Sequence, residues 1–163
     1  MRILGIDPGY HRCGFAVVER GSGGTAELKG SGTLVTRRNE PLAVRLHALA
    51  LELERLLAEW QPDCVAVEEV YFAKNAKTAI GVAQARGVVL EHSAAAGLPV
   101  AEYTPTTVKS QLTGNGQADK QQVAFMVSRW FSLGDEARLD DELDAIAVAL
   151  CHAMRADIPE ALR

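Results

Sequence analysis

The sequence predicts an α/β fold, a five-stranded mixed sheet in one layer with helices on both faces. Three observations predict it. The first 36 residues hold three β-like runs divided by turn-rich segments. The remainder alternates leucine-periodic helical stretches with short apolar runs of the kind buried in parallel sheets. The composition, 48% apolar and 23% charged, is that of a soluble globular domain large enough for a proper core.

Arg2–Asp7 and Gly14–Arg20 are strand-like runs on either side of a Pro- and Gly-rich turn. Gly21-Ser22-Gly23-Gly24 is a loop, and Ala26–Thr36 a third strand, completing an antiparallel meander. Pro41 opens a helix in which Leu42, Leu46, Leu49, Leu53, Leu56 and Leu57 recur at helical spacing, and Trp60-Gln61-Pro62 ends it. Cys64–Glu68 is a short apolar strand, Ala73–Ala96 a second helix and Leu98–Tyr103 the fifth strand. Thr104 and Pro105 start a short helix that stops at Thr113-Gly114-Asn115-Gly116. Two more helices follow, over about Ala118–Phe131 and Asp141–Arg155. The expected organisation is one domain over residues 1–156 with a short tail over 157–163.

No apolar stretch reaches the ~18 residues of a membrane span, and no secretory signal is visible at the start. Cys13, Cys64 and Cys151 are odd in number and widely spaced, which reads as reduced thiols in a cytoplasmic protein. The net charge of −4 speaks against a nucleic-acid partner only until its distribution is considered. Residues 73–120 carry 5 basic against 3 acidic residues, so the middle of the chain is the basic part.

Asp7 follows Ile6 at the end of an apolar run, where a carboxylate costs several kcal/mol in desolvation unless a cation compensates it. Glu68 ends another such run, and Asp141 and Asp144 lie one helical turn apart. Together the four acids read as a Mg²⁺ or Mn²⁺ site for phosphodiester chemistry, since two such ions ~3.5–4 Å apart serve in-line displacement at phosphorus. Each acid also has a plainer reading. Asp7-Pro8-Gly9 is good turn chemistry, Asp141-Glu142-Leu143-Asp144 suits the acidic first turn of a helix, and Glu68 could pair with a core arginine. Spacing alone does not choose between Glu68 and Glu69, which point to opposite faces of a strand. The four histidines, His11, His47, His92 and His152, are not spaced as a metal set and read as structural or surface residues.

Five segments in order, Gly5-Ile6-Asp7-Pro8-Gly9, Ala66-Val67-Glu68-Glu69-Val70-Tyr71, Ala73-Lys74-Asn75-Ala76, Gln84-Ala85-Arg86-Gly87 and Asp141-Glu142-Leu143-Asp144-Ala145, closely resemble the RuvC family, bacterial Holliday junction resolvases of ribonuclease-H-like fold. The resemblance runs from Arg2 to about His152, with Ala83 standing where the family's pattern has a glycine. It implies catalytic and metal-binding roles for Asp7, Glu68, Asp141 and Asp144, and so selects Glu68 over Glu69. It further implies a four-way DNA junction as substrate, a homodimer, and the RuvA–RuvB branch-migration motor as a partner.

Lys109 and Lys120 flank the Thr113–Gly116 loop, and the resemblance makes both DNA-phosphate contacts. Tyr71, close to Lys74, is expected to stack on unpaired bases at the crossover, with Lys74 as a further DNA contact and Phe72 as core. The second helix is apolar nearly all round from Ile80 to Leu90, so it needs cover on two sides: the sheet covers one, and the other is met either by a second subunit, as the resemblance implies, or by full burial within a single chain. The expected reaction is metal-dependent hydrolysis leaving a 5′-phosphate and a 3′-hydroxyl, with two ions per subunit. Three alternatives stand beside it: a ribonuclease-H-like nuclease with another substrate, a non-catalytic junction-binding protein, and an ATP-binding protein of the actin and sugar-kinase type. The last needs a duplicated domain and well over 163 residues.

Overall fold

The computed structural model describes residues 1–69, 76–134 and 138–155. Strands β1 (Arg2–Asp7), β2 (Arg12–Arg20) and β3 (Ala26–Val35) form the antiparallel meander. Helix α1 (Leu42–Trp60) leads to β4 (Cys64–Glu68), which pairs parallel to β1, and α2 (Ala76–Ala95) leads to β5 (Val100–Tyr103), parallel to β4. Helices α3 (Pro105–Thr113), α4 (Lys120–Phe131) and α5 (Asp140–Arg155) follow, and the sheet order is β3-β2-β1-β4-β5.

Most boundaries agree with the sequence to within two residues, and the differences have local causes. Strand β2 begins earlier than expected because Arg12 and Cys13 still pair with Val35 and Leu34. Strand β5 begins later, since Pro99 has no N–H to donate to a ladder. Helix α4 starts at Lys120 because Asp119 is its N-cap: the Asp119 carboxylate accepts from the Gln122 amide, and the Gln122 side chain accepts from the Asp119 amide. The first residues expected of α2, 73–75, and the tail over 157–163 lie outside the described residues.

The sheet separates two apolar clusters. Leu4, Ile6, Val17, Val65 and Val67 pack against α1 and α2 through Leu49, Leu53, Leu56, Ala85 and Val89. On the opposite face Ile3, Ala16, Val18 and Ala66 meet α3, α4 and the wholly buried stretch Ala145–Cys151 of α5. Two glycines set how closely α5 approaches. A Cβ on Gly5 would stand 2.5 Å from the Ala145 carbonyl oxygen and 2.6 Å from the Ala149 Cβ. A Cβ on Gly14 would overlap the backbone carbonyl of Asp141. The first turn of α5 therefore rests directly on the β1–β2 backbone, which only residues without a side chain allow.

Candidate active site

Alternation along β1 and β4 decides where the first two acids point. Ile3 and Gly5 face α5, so Asp7, two residues on, faces it too. Cys64 and Ala66 face the same side, and Glu68 continues their phase while Glu69 does not. The parallel register pairs Gly5 with Ala66 and Ile6 with Val67, which brings Asp7 and Glu68 side by side at the carboxyl ends of adjacent strands. Asp141 and Asp144 come from the first turn of α5, held over these strand ends by the glycine contacts.

The electrostatics follow from that crowding. Burial, and then the charges of Glu68, Asp144 and Asp141, raise the Asp7 carboxyl from its ordinary 3.8 to about 8. Burial and the Asp144 charge likewise raise Glu68 to about 7, against the opposing pull of Lys120, a hydrogen bond with Asp7, and Lys109. Two adjacent carboxyls in this state share a proton near neutrality.

The outer acids have cations. Lys120 Nζ donates to Asp144 Oδ2 at 2.9 Å. Burial pulls the Lys120 ammonium down, but the hydrogen bond and the charges of Asp144, Asp140 and Asp7 outweigh it and raise it overall. Arg12 Nε stands 2.7 Å from Asp141 Oδ2, yet this buried oxygen has no aligned hydrogen-bond donor, so the contact supplies charge without satisfying the lone pairs. Asp141 and Asp144 thus point into different clefts, although their spacing suggested a common direction. Asp144 shares one of about 250 Å³ with Glu68, Lys109 and Lys120. Asp141 shares another of about 420 Å³ with Asp7, His11, Arg12 and Arg38.

The donor set fits a hard divalent cation. It consists of carboxylate oxygens, two of them on buried carboxyls whose raised ionisation a cation would bring back down, and one, Asp141 Oδ2, whose lone pairs Arg12 leaves without an aligned donor. Among the described residues no three His, Cys, Asp or Glu side chains form a ready cage. Lys120 pairs with Asp144 and Arg12 with Asp141, so both outer acids are engaged by cations of the chain itself.

Residues 3–152 match the family model described as crossover junction endodeoxyribonuclease RuvC. The chain belongs to the RuvC family. It is 47% identical over 152 residues to the crossover junction endodeoxyribonuclease RuvC of Syntrophomonas wolfei, covering 93% of this chain and 88% of that one. With the RuvC of Chloroflexus aggregans it shares 47% identity over 156 residues, 96% of this chain and 94% of the relative. Among solved structures it resembles T. thermophilus RuvC in complex with Holliday junction substrate, with a TM-score of 0.88, 36% identity, and coverage of 96% and 94% of the two chains. The yeast mitochondrial Holliday junction resolvase Ydc2 shares the fold at 14% identity, with a TM-score of 0.70, covering 94% of this chain and 78% of its own. Family membership makes the chain a crossover junction endodeoxyribonuclease of ribonuclease-H-like fold.

Of the DNA-contact residues expected from the sequence, Lys109 and Lys120 line the Glu68–Asp144 cleft. Tyr71 and Lys74 lie outside the described residues. The sequence reading missed the other cleft. Arg12 is only five residues from Asp7 and could have been found there, but Arg38 reaches the cleft from beyond β3 and left no local signal. His11, read as structural or surface, stands on the cleft wall.

Proposed function

We propose that the chain resolves four-way DNA junctions by metal-dependent hydrolysis, with Asp7, Glu68, Asp141 and Asp144 as its catalytic and metal-holding residues. The observation that carries this reading is the Asp7–Glu68 pair, two acids raised to about 8 and 7 at the focus of four carboxylates. Lys120 and Lys109 only partly offset this crowding, and a pair of acids left so far above their ordinary range suits an exchangeable cation. Mg²⁺ is the preferred ion and Mn²⁺ an alternative, with two per subunit. Such ions, when bound, supply charge stabilisation at the phosphate and a nucleophilic water at neutral pH.

The chain's own residues do the positioning. Lys120, at the N-terminus of α4, and Lys109, on α3, hold DNA phosphate over Glu68 and Asp144. When phosphate takes Lys120, the Asp144 carboxylate is released toward the centre, so substrate seating and completion of the ligand set are coupled. Hydrolysis leaves a 5′-phosphate and a 3′-hydroxyl. Tyr71 stacks on bases at the crossover and Lys74 holds phosphate nearby.

Paired cuts require two sites, and a C₂ homodimer supplies them. Helix α2 suits the interface: Ile80 is 59% exposed on a helix whose other face already packs on the sheet through Ala85 and Val89. The RuvA–RuvB motor is the partner in branch migration. No helix among the described residues is long and apolar enough to cross a membrane, which accords with a cytoplasmic location.

The test uses an end-labelled synthetic four-way junction with matched linear duplex and RNA–DNA hybrid, each with Mg²⁺, Mn²⁺ or EDTA. Paired, metal-dependent nicks confined to the junction, and absent in Asp7→Asn, are expected. Cutting by Asp7→Asn at the normal rate would refute the assignment of the acids. Cutting of the hybrid in place of the junction would move the substrate.

A further inference from the structure

The cleft on the Asp7–Asp141 side has a wall that the proposed chemistry does not use. After β3 the chain turns back over the β1–β2 turn, tied there by the Thr36 amide to the His11 carbonyl at 2.9 Å and by the Thr36 hydroxyl to the Tyr10 carbonyl at 2.7 Å. Buried Arg45 braces the same point, donating from Nε to Thr36 Oγ1 at 3.0 Å and lying 4.6 Å from the centre of the Tyr10 ring. The segment is anchored on both sides, and it carries Arg38 to the cleft.

Arg38 is held in an unusual way. His11 Nδ1 lies 3.0 Å from the Thr36 carbonyl, which can only accept, so Nδ1 carries the proton and Nε2 is left as an acceptor. Arg38 Nε donates to that Nε2 at 2.5 Å. The guanidinium is thus fixed by a neutral ring. Among the described residues no carboxylate pairs with it, whereas its neighbour Arg37 reaches Glu40 at 3.7 Å and Arg12 reaches Asp141 at 2.7 Å. With Nε committed to His11, both terminal nitrogens remain for a planar, two-oxygen acceptor. An exposed arginine that only needs solvation requires no such orientation.

We infer that Arg38, oriented by His11, is a second DNA-phosphate contact, on the side of the catalytic carboxylates opposite Lys109 and Lys120. The inference rests on the nuclease reading above and adds a direction to it. The cut strand crosses the carboxylates from the Lys109–Lys120 cleft into the Arg38 cleft, so phosphates on both sides of the scissile one are held. Arg12 neutralises Asp141 at the entrance and lowers the repulsion that an incoming phosphate would otherwise meet. His11 is a positioning residue in this scheme, acting only through Arg38.

The test measures binding of a fluorescent four-way junction in EDTA across a salt series. Arg38→Ala should weaken binding about tenfold, as for loss of a charge-assisted hydrogen bond. It should also reduce the slope of log affinity against log salt by about 0.9, the value for one phosphate contact. His11→Ala should weaken binding while keeping most of that slope, because the charge remains and only its orientation is lost, and His11→Gln, which restores an acceptor, should recover affinity. Junctions with a single uncharged methylphosphonate at successive positions then locate the contact. One position, on the opposite side of the cut from the position sensitive to Lys109→Ala, should abolish the difference between wild type and Arg38→Ala. Wild-type cutting with an Arg38→Ala affinity and slope equal to wild type, or with no position that couples to Arg38, overturns this inference alone. Wild-type protein that neither binds nor cuts the junction overturns the nuclease reading and this inference with it.

Discussion

Replacing Gly5 by alanine should impair cleavage more than it impairs folding. The added Cβ would stand 2.5 Å from the Ala145 carbonyl oxygen, 2.6 Å from the Ala149 Cβ and 2.9 Å from the Ala149 amide nitrogen. Carbon–carbon contacts settle at about 3.5–4.0 Å, so α5 has to withdraw from β1 by roughly 1 Å. Overpacking of this kind costs about 1–3 kcal/mol, which for a domain of this size lowers the melting temperature by roughly 2–12 °C. Asp141 and Asp144 ride on the displaced helix, and a misplacement of about 1 Å at reacting groups costs on the order of 10²-fold in rate. Thermal unfolding and single-turnover cleavage of a labelled junction, at saturating protein, measure the two effects separately. Leu53→Ala is the control: its side chain, on α1, is 2% exposed and packs against the other face of the sheet. It should lose about 2–5 kcal/mol of stability while keeping its rate. A Gly5→Ala variant that folds and cuts at the wild-type rate, or a Leu53→Ala variant that loses as much rate, would refute the idea that α5 contact sets catalytic geometry.

Three further outcomes are expected. Asp7 and Glu68 hold protons in the metal-free native state that the unfolded chain releases near pH 4, so the stability these two groups contribute is fully present below that pH and is lost as pH rises toward 7–8. Asp7→Asn should therefore raise the metal-free melting temperature by several degrees at pH 8 and hardly at all at pH 4, and an equal effect at both would contradict the raised carboxyls. Ile80→Glu should dissociate the proposed homodimer in sedimentation experiments, because a two-fold interface loses each contact twice and about 3 kcal/mol or more in total; a wild-type monomer, or a variant that still dimerises, would refute this use of α2. Asp119→Ala removes the cap of α4 and should cost about 1 kcal/mol in denaturant unfolding, and an unchanged midpoint would mean that packing alone holds the helix.

The four acids were legible in the sequence through the family resemblance, whereas strand alternation could not choose between Glu68 and Glu69 until the facing of neighbouring residues was known. Once Ile3 and Gly5 are assigned to one face, Asp7 must follow, and Cys64, Ala66 and Glu68 repeat the argument on the neighbouring strand. The glycine-bearing α5 contact was not legible, since nothing in Gly5 or Gly14 says which helix will lie against them. Nor was the divergence of Asp141 and Asp144. Helical spacing places two side chains on one side of a helix, but their final directions depend on Arg12 and Lys120, which belong to other elements. Arg38 is the clearest case, a residue of a polar connecting segment whose role depends on a histidine 27 positions away.

The four carboxylates enter the site from widely separated parts of the chain, one from β1, one from β4 and two from α5. A ribosome has assembled 139 residues before the first residue of α5 exists. Until that helix has docked, the nascent chain presents only the Asp7 and Glu68 pair, and its buried sheet face lacks the cover that holds β1 and β2 in place. A chain stalled or cleaved before α5 therefore lacks both Asp141 and Asp144 and leaves one face of its sheet uncovered. Covering that sheet face and gathering the four carboxylates are one step, because the same helix does both.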